Sequence, residues 1–241
     1  MKAPLPTNEN ERLAALKEYH VFDSETEQSY DDITALAAHI CEAPIAMVSL
    51  VDETRQWFKS RVGVESKQTP REVAFCAHAI LQSKPFIVRD ATKDRRFVDN
   101  ALVTGEPHIR FYAGIPLTNP EGLTLGTLCV VDRHPRRLSA AQQKALQALS
   151  RQVMALLELR RVSARLANAL EQVKTLQELL PICAWCKRIR DDKGYWNQLE
   201  AYFHKHGGAD FTHGICPECL EKVHAKWQNK QSATETAPSQ T

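Results

Sequence analysis

The chain has 241 residues, 43% of them hydrophobic, which supplies apolar side chains for one full-sized core and a small second unit. Its 31 Lys and Arg against 29 Asp and Glu leave a formal net charge of +2, which excludes a broad electrostatic draw toward nucleic acid or anionic membrane. No apolar run approaches the ~20 residues that span a bilayer and the first ten residues hold no secretory core, so a cytoplasmic protein with no membrane partner is expected.

The elements follow in order. Leu13, Leu16 and Tyr19 recur at helical spacing after a polar start, and Tyr30, Ile33, Leu36 and Ile40 repeat the pattern, predicting two amphipathic helices. Pro44 closes the second. Ile45 to Val51 and Arg55 to Arg61, joined by the short turn at Asp52 to Thr54, predict a hairpin. Pro70 opens a helix predicted from Arg71 to Leu81, followed by a strand at Phe86 to Arg89. The polar run from Asp94 to Pro107 reads as a loop with at most one helical turn. Ile109 to Leu117 and Leu123 to Val131, separated by Asn119-Pro-Glu-Gly122, predict a second hairpin.

Ser139 and Gln142 have the spacing of a capping box and start a long helix with no Gly or Pro before Pro181. Leu146, Leu149 and Val153 suit a sheet-covering stripe. Beyond them Leu156, Leu159, Leu166, Leu170, Val173 and Leu180 fall on alternating spacings of three and four, broken by Ser163 and Gln177. Two readings stay open, a two-stranded coiled coil that makes a homodimer and a long amphipathic helix packed on its own domain. Gln228 to Thr241 is polar, without periodicity, and is expected to be disordered.

With the strands placed, residues 8–161 resemble the GAF family, in its bacterial sensor subgroup. The segments that carry the likeness are RLAALKEY, IAMVSLVDETRQWFK at 45–59, FCAHAIL at 75–81, NALVTGEPHIRFYAGIPL at 100–117 and LGTLCVVD at 125–132. The resemblance implies an α+β fold, a central antiparallel sheet with helices on one face and a small-molecule pocket or protein surface on the other. It does not imply a particular ligand. The signature of the cyclic-nucleotide-binding subgroup is absent. No cysteine stands just before the strand Ile109 to Leu117 where phytochrome-like members attach a chromophore, and the closely spaced cysteines of the free methionine sulfoxide reductases have no counterpart. Trp57, Lys59, Cys76, His78, Arg110 and Tyr112 are the pocket candidates, an aromatic and basic set suited to an anionic or planar ligand, with Arg110 able to fork onto a carboxylate. Each has an alternative reading as a core or solvated strand residue. Cys76 and His78, two apart on a predicted helix, point away from one another and make a poor nucleophile and base pair.

The strongest local chemistry is in PICAWCKRIR and HGICPECL. Cys183 with Cys186 and Cys216 with Cys219 form two CxxC pairs 29 residues apart, the pattern of a four-cysteine tetrahedral Zn²⁺ site. A thioredoxin-like redox pair is the alternative, but it needs a βαβ context this segment lacks. His213, three residues before Cys216, is placed beside the thiolates as a hydrogen-bond partner rather than as a ligand. The segment resembles a tail that follows sensor or receiver domains in bacterial two-component proteins. From Pro181 to Lys230 eight basic residues meet six acidic ones, and a four-thiolate zinc centre brings the module near neutrality, so protein docking is expected rather than nucleic acid.

The organisation expected is a GAF domain at 1–155, a dimerising helix at 156–180, a zinc-binding module at 181–227 and a tail at 228–241. The function expected is signal transduction: a small-molecule ligand in the GAF domain, relayed through the helix and zinc module to a signalling protein partner. The alternative is a thiol-based redox sensor or reductase using Cys76 or Cys129. No Walker A loop, kinase glycine loop or HExxH motif occurs, and the chain is expected not to be an enzyme.

Overall fold

Ile45 to Val51 is apolar at nearly every position because both faces of that strand are covered. Its alternate residues serve two cores: Ala46, Val48 and Leu50 point to one side of the sheet, Ile45 and Met47 to the other. A computed structural model of the protein describes residues 2–177, 181–191, 193–206, 212 and 214–234. It divides into two compact units, residues 1–170 and 171–241.

The first unit carries α1 (Glu9–Lys17), α2 (Gln28–Cys41), β1 (Ile45–Val51), β2 (Arg55–Val62), β3 (Gln68–Pro70), α3 (Phe75–Ala79), β4 (Phe86–Val88), α4 (Ala101–Thr104), β5 (Phe111–Thr118) and β6 (Thr124–Asp132). The six strands form one antiparallel sheet in the order β3-β2-β1-β6-β5-β4. The α5 helix (Ala140–Gln177) begins in this unit. Its capping box is reciprocal: Ser139 N–H donates to Gln142 Oε1 at 2.9 Å and Gln142 N–H to Ser139 Oγ at 3.2 Å.

One face of the sheet packs against α1, α2 and α5, whose Leu16, Tyr30, Ile33, Ala37, Leu146, Val153 and Leu157 join Val48, Leu50, Phe111, Leu128 and Val130. Ion pairs close this face. Arg160 donates to the Tyr19 and His20 carbonyls and pairs with Glu27, Arg161 pairs with Glu121 and Glu158, and Arg165 pairs with Glu18. Leu156 packs partly against this core, whereas Leu159, Val162, Leu166 and Leu170 are 63, 56, 59 and 61% exposed. The side chain of Val173, and all of Leu180, lie outside the described residues.

The predicted helix from Arg71 to Leu81 is two pieces. Asn100 Nδ2 donates to the Val73 carbonyl at 3.0 Å, taking the acceptor that Ala77 N–H would need, and Ala74 turns extended at ψ 124°. A single 3-10 turn, Arg71–Val73, therefore precedes α3. The β3 edge strand lies in a polar stretch that the sequence pattern left unassigned.

In the second unit β7 (Ile189–Arg190) and β8 (Trp196–Asn197) form a hairpin, followed by α6 (Leu199–His206) and α7 (Pro217–Thr234). Asp191 organises its turn, accepting from Lys193 N–H, Tyr195 N–H and Asn197 Nδ2 while Gly194 takes φ +87°. The expectation of disorder from Gln228 onward is corrected for residues 228–234, which continue α7. His213 and residues 235–241 lie outside the described residues.

Candidate functional site

Strand parity decides what faces the second side of the sheet. On β2, Gln56 and Phe58 point there; on β5 Tyr112; on β6 Thr127, Cys129 and Val131. The covering on this side is thin: the five-residue α3, the one-turn α4 and the loops around Gly63 and Glu106. They leave a cavity of about 550 Å³, within the range of small-ligand sites. Ile45, Met47, Phe58, Phe75, Ile109, Tyr112 and Val131 form its apolar wall, and Glu65, Glu106 and Arg133 stand at its rim.

Two polar groups in the wall lack partners. Gln56 is 4% exposed, and its Oε1 accepts no hydrogen bond; Thr69 Oγ1 is likewise buried and unpartnered. A buried amide oxygen without a donor costs free energy on the order of 1–3 kcal/mol.

Deeper in the wall Cys76 and Tyr112 meet. Tyr112 lies opposite Val131, its ring runs over Gly114, and its hydroxyl donates to Cys76 Sγ at 3.2 Å. The missing side chain at 114 makes this possible, since a Cβ there would stand 2.2 Å from the tyrosine oxygen. Thr127 Oγ1 also donates to Cys76 Sγ, at 3.1 Å, and Cys129 Sγ lies 3.9 Å away. Burial pushes the Cys76 thiol up, but the hydrogen bonds from Cys129, Thr127 and Tyr112 outweigh it and hold it below the ordinary thiol range. Cys129 is pushed well up by its hydrogen bond to Cys76 and by burial.

Of the six pocket candidates, the fold brings Cys76 and Tyr112 to the cavity wall. Trp57 and Lys59 have the opposite parity. Trp57 joins the helical core, and Lys59, 2% exposed, pairs with Glu27 and donates to Ser24 Oγ and the Glu25 carbonyl while lying 5.2 Å from the Tyr30 ring centroid. His78 packs edge-on against Phe97 with centroids 4.8 Å apart. Arg110 Nη1 donates to the Val103 and Ile109 carbonyls, an anchor for the α4 loop. Gln56 and Thr69 were missed; the signal for Gln56 was its shared parity with Phe58.

The tail cysteines occupy two tight turns. Cys186 N–H approaches Cys183 Sγ at 3.5 Å, and Cys216 immediately precedes α7 with Cys219 in its first turn. Backbone N–H groups of Cys186 and Trp185 lower the Cys183 thiol, and that of Cys219 lowers Cys216. Such donors suit a metal thiolate. Among the described residues no three metal-capable side chains are gathered into one cluster.

The architecture is a two-core antiparallel sheet with a helical layer on one face and a cavity of small-ligand size on the other. The sequence profile described as "GAF domain" matches residues 25–157, more than half of the chain, and the chain belongs to the GAF domain family. A curated relative, a cyclic di-GMP phosphodiesterase of Pseudomonas aeruginosa, is 45% identical over 153 residues, which are 63% of this chain and 26% of that protein. The chain thus spans about a quarter of the relative it matches. The GAF domain of a phosphoenolpyruvate-protein phosphotransferase from Coxiella burnetii is 14% identical with a TM-score of 0.49, covering 65% of this chain and 96% of that one. Its Acinetobacter counterpart is 17% identical with a TM-score of 0.47, covering 65% and 98%. The expectation that the chain is not an enzyme is corrected by the Pseudomonas relative, which is named for an enzymatic activity; missing nucleotide-loop and metalloprotease motifs do not address that chemistry. No helix among the described residues is long and apolar enough to cross a membrane.

Proposed function

We propose that this protein is a signalling sensor that binds a small organic molecule in the cavity between β2, β5, β6 and α3, and that the signal governs cyclic di-GMP hydrolysis. The observation that carries the reading is the unpartnered Gln56 Oε1 and Thr69 Oγ1 in an otherwise apolar wall. They select a ligand with a flat or aliphatic body and at least one hydrogen-bond donor. With Arg110 committed to backbone carbonyls and two rim carboxylates facing one rim arginine, a multiply anionic ligand is disfavoured. The cyclic di-GMP setting rests on the Pseudomonas relative.

The relay runs through α5. Phe58 lines the cavity, its neighbour Lys59 holds Glu27 on the other face, and the same carboxylate holds Arg160 of α5. The exposed Leu159, Val162, Leu166 and Leu170 support a parallel homodimer in which a second copy of α5 covers them. Cys183, Cys186, Cys216 and Cys219 would hold one structural Zn²⁺, which supplies folding free energy to the small tail and shapes it for a protein partner.

Native mass spectrometry of the full chain tests the reading. A dimer is expected, carrying one zinc per chain and one low-mass organic molecule per chain. Gln56→Leu should release the organic molecule and keep the zinc, and Cys183→Ser should do the reverse. A monomer without adduct, whose melting temperature no uncharged or singly charged metabolite raises, would reject the sensor reading.

A further inference from the structure

Four polar side chains meet inside the apolar core of the cavity face, where packing alone would favour aliphatic groups. They come from separate elements: Cys76 from α3, Tyr112 from β5, Thr127 and Cys129 from β6. The register explains the meeting. Val131, Cys129 and Thr127 lie opposite Tyr112, Gly114 and Pro116, so a tyrosine ring crossing Gly114 carries its hydroxyl past Cys129 to Thr127, 3.3 Å away. Both hydroxyls then donate to one acceptor, Cys76 Sγ.

The two sulfurs are not equivalent. Cys76 lines the cavity and receives the hydroxyl donors, an arrangement that stabilises its anion. Cys129 lies behind it, with its thiol between Cys76 Sγ at 3.9 Å and the Met47 carbonyl at 3.7 Å. One sulfur sits at the cavity wall and accepts two hydroxyl donors, and the other stands behind it within 3.9 Å.

We propose that Cys76 and Cys129 form a hydroperoxide-responsive thiol pair. The Cys76 thiolate attacks the terminal oxygen of a hydroperoxide that enters the cavity. The S–O bond forms, the O–O bond breaks, and the leaving alkoxide or hydroxide takes a proton relayed through the Tyr112 and Thr127 hydroxyls. Cys129 then attacks the Cys76 sulfenic sulfur. The S–S bond forms, the S–O bond breaks, and water departs with the Cys129 proton. Two thiols lose two electrons and the hydroperoxide becomes an alcohol, or water, plus water. Closing the pair from 3.9 Å to about 2.05 Å draws α3 toward β6 and removes the acceptor of both hydroxyls, reshaping the cavity wall. The proposal depends neither on which molecule fills the cavity nor on the zinc.

The third cysteine of the domain, Cys41, provides an internal control. It is equally buried, on the opposite face, and burial pushes its thiol up to about 11. The full chain is exposed to hydrogen peroxide or cumene hydroperoxide, quenched by alkylation and mapped by peptide mass spectrometry, with the tail cysteines followed on their own peptides. A Cys76–Cys129 cross-linked peptide is expected, forming at least about ten-fold faster than any oxidation of Cys41. Cys129→Ser should stop at a Cys76 sulfenic acid that dimedone captures, and Cys76→Ser should leave Cys129 unmodified. Thr127→Val should slow Cys76 oxidation about ten-fold without changing Cys41. Equal rates at Cys76 and Cys41 in the unaltered chain, or an uncross-linked Cys76 sulfenic acid persisting beside Cys129, would overturn the proposal.

Discussion

The two faces of the sheet share the same strands yet are finished differently. On the helical face, Lys59 and the α5 arginines Arg160 and Arg165 meet carboxylates or carbonyls, and long side chains fill the space between sheet and helices. On the cavity face three buried side-chain oxygens, Ser49 Oγ, Gln56 Oε1 and Thr69 Oγ1, are left without partners, three polar groups crowd the Cys76 sulfur, and about 550 Å³ is open. The contrast shows how a period of two lets one strand serve stability and chemistry at once.

Core truncation should separate the faces most strongly. Leu128, fully buried on the helical side, should cost about 3 kcal/mol when changed to Ala. Met47→Ala on the cavity side should cost about 1.5 kcal/mol, because a side chain beside an existing void has fewer contacts to lose. Urea unfolding measures both, and equal losses would break the contrast.

The ion cluster at α1 should give the next largest effect. Burial raises the Glu9 carboxyl, but hydrogen bonds and charges from Arg12 and Arg71 outweigh it and bring it to about 2 from 4.5. A carboxyl depressed by folding contributes stability that is complete above about 4.5 and is lost as pH falls toward 2. The contribution is on the order of 2–3 kcal/mol. Glu9→Gln should flatten that limb of a stability–pH profile, and an unchanged limb would mean that Arg12 and Arg71 are held by Val51 and Asp52 carbonyls alone. Ser139→Ala, the smallest effect, should cost about 1 kcal/mol by removing half of the α5 capping box, measured as a lower melting temperature.

Both hairpins, the flanking helices and the start of α5 were legible because each has its own period or cap. The β3 strand was not: Gln68–Pro70 is a short polar edge with no alternation, held by its pairing with β2. Chemical type alone points to Trp57 and Lys59 for the pocket, whereas parity assigns them to the face away from it, with Gln56 and Phe58 toward it. Cys76 was recognised as a candidate, but its partnership with Cys129 depends on sheet order and on Gly114, neither of which sequence spacing conveys. The exposed apolar stripe of α5 starts after Leu156, which is drawn partly into the domain core, and it includes Val162, which the heptad spacing does not select.

The arginines of α5 bear on where this domain can be cut. The family match ends at residue 157, but Glu158, Arg160, Arg161 and Arg165 lie beyond it and hold Tyr19, His20, Glu27, Glu121 and Glu18. A domain excised at that point would lose these clasps together and leave Lys59 as the remaining cation on Glu27. The minimum transplantable unit therefore extends at least one helical turn past Arg161, and a fusion of this domain to a foreign one should be joined there, in phase with the helix.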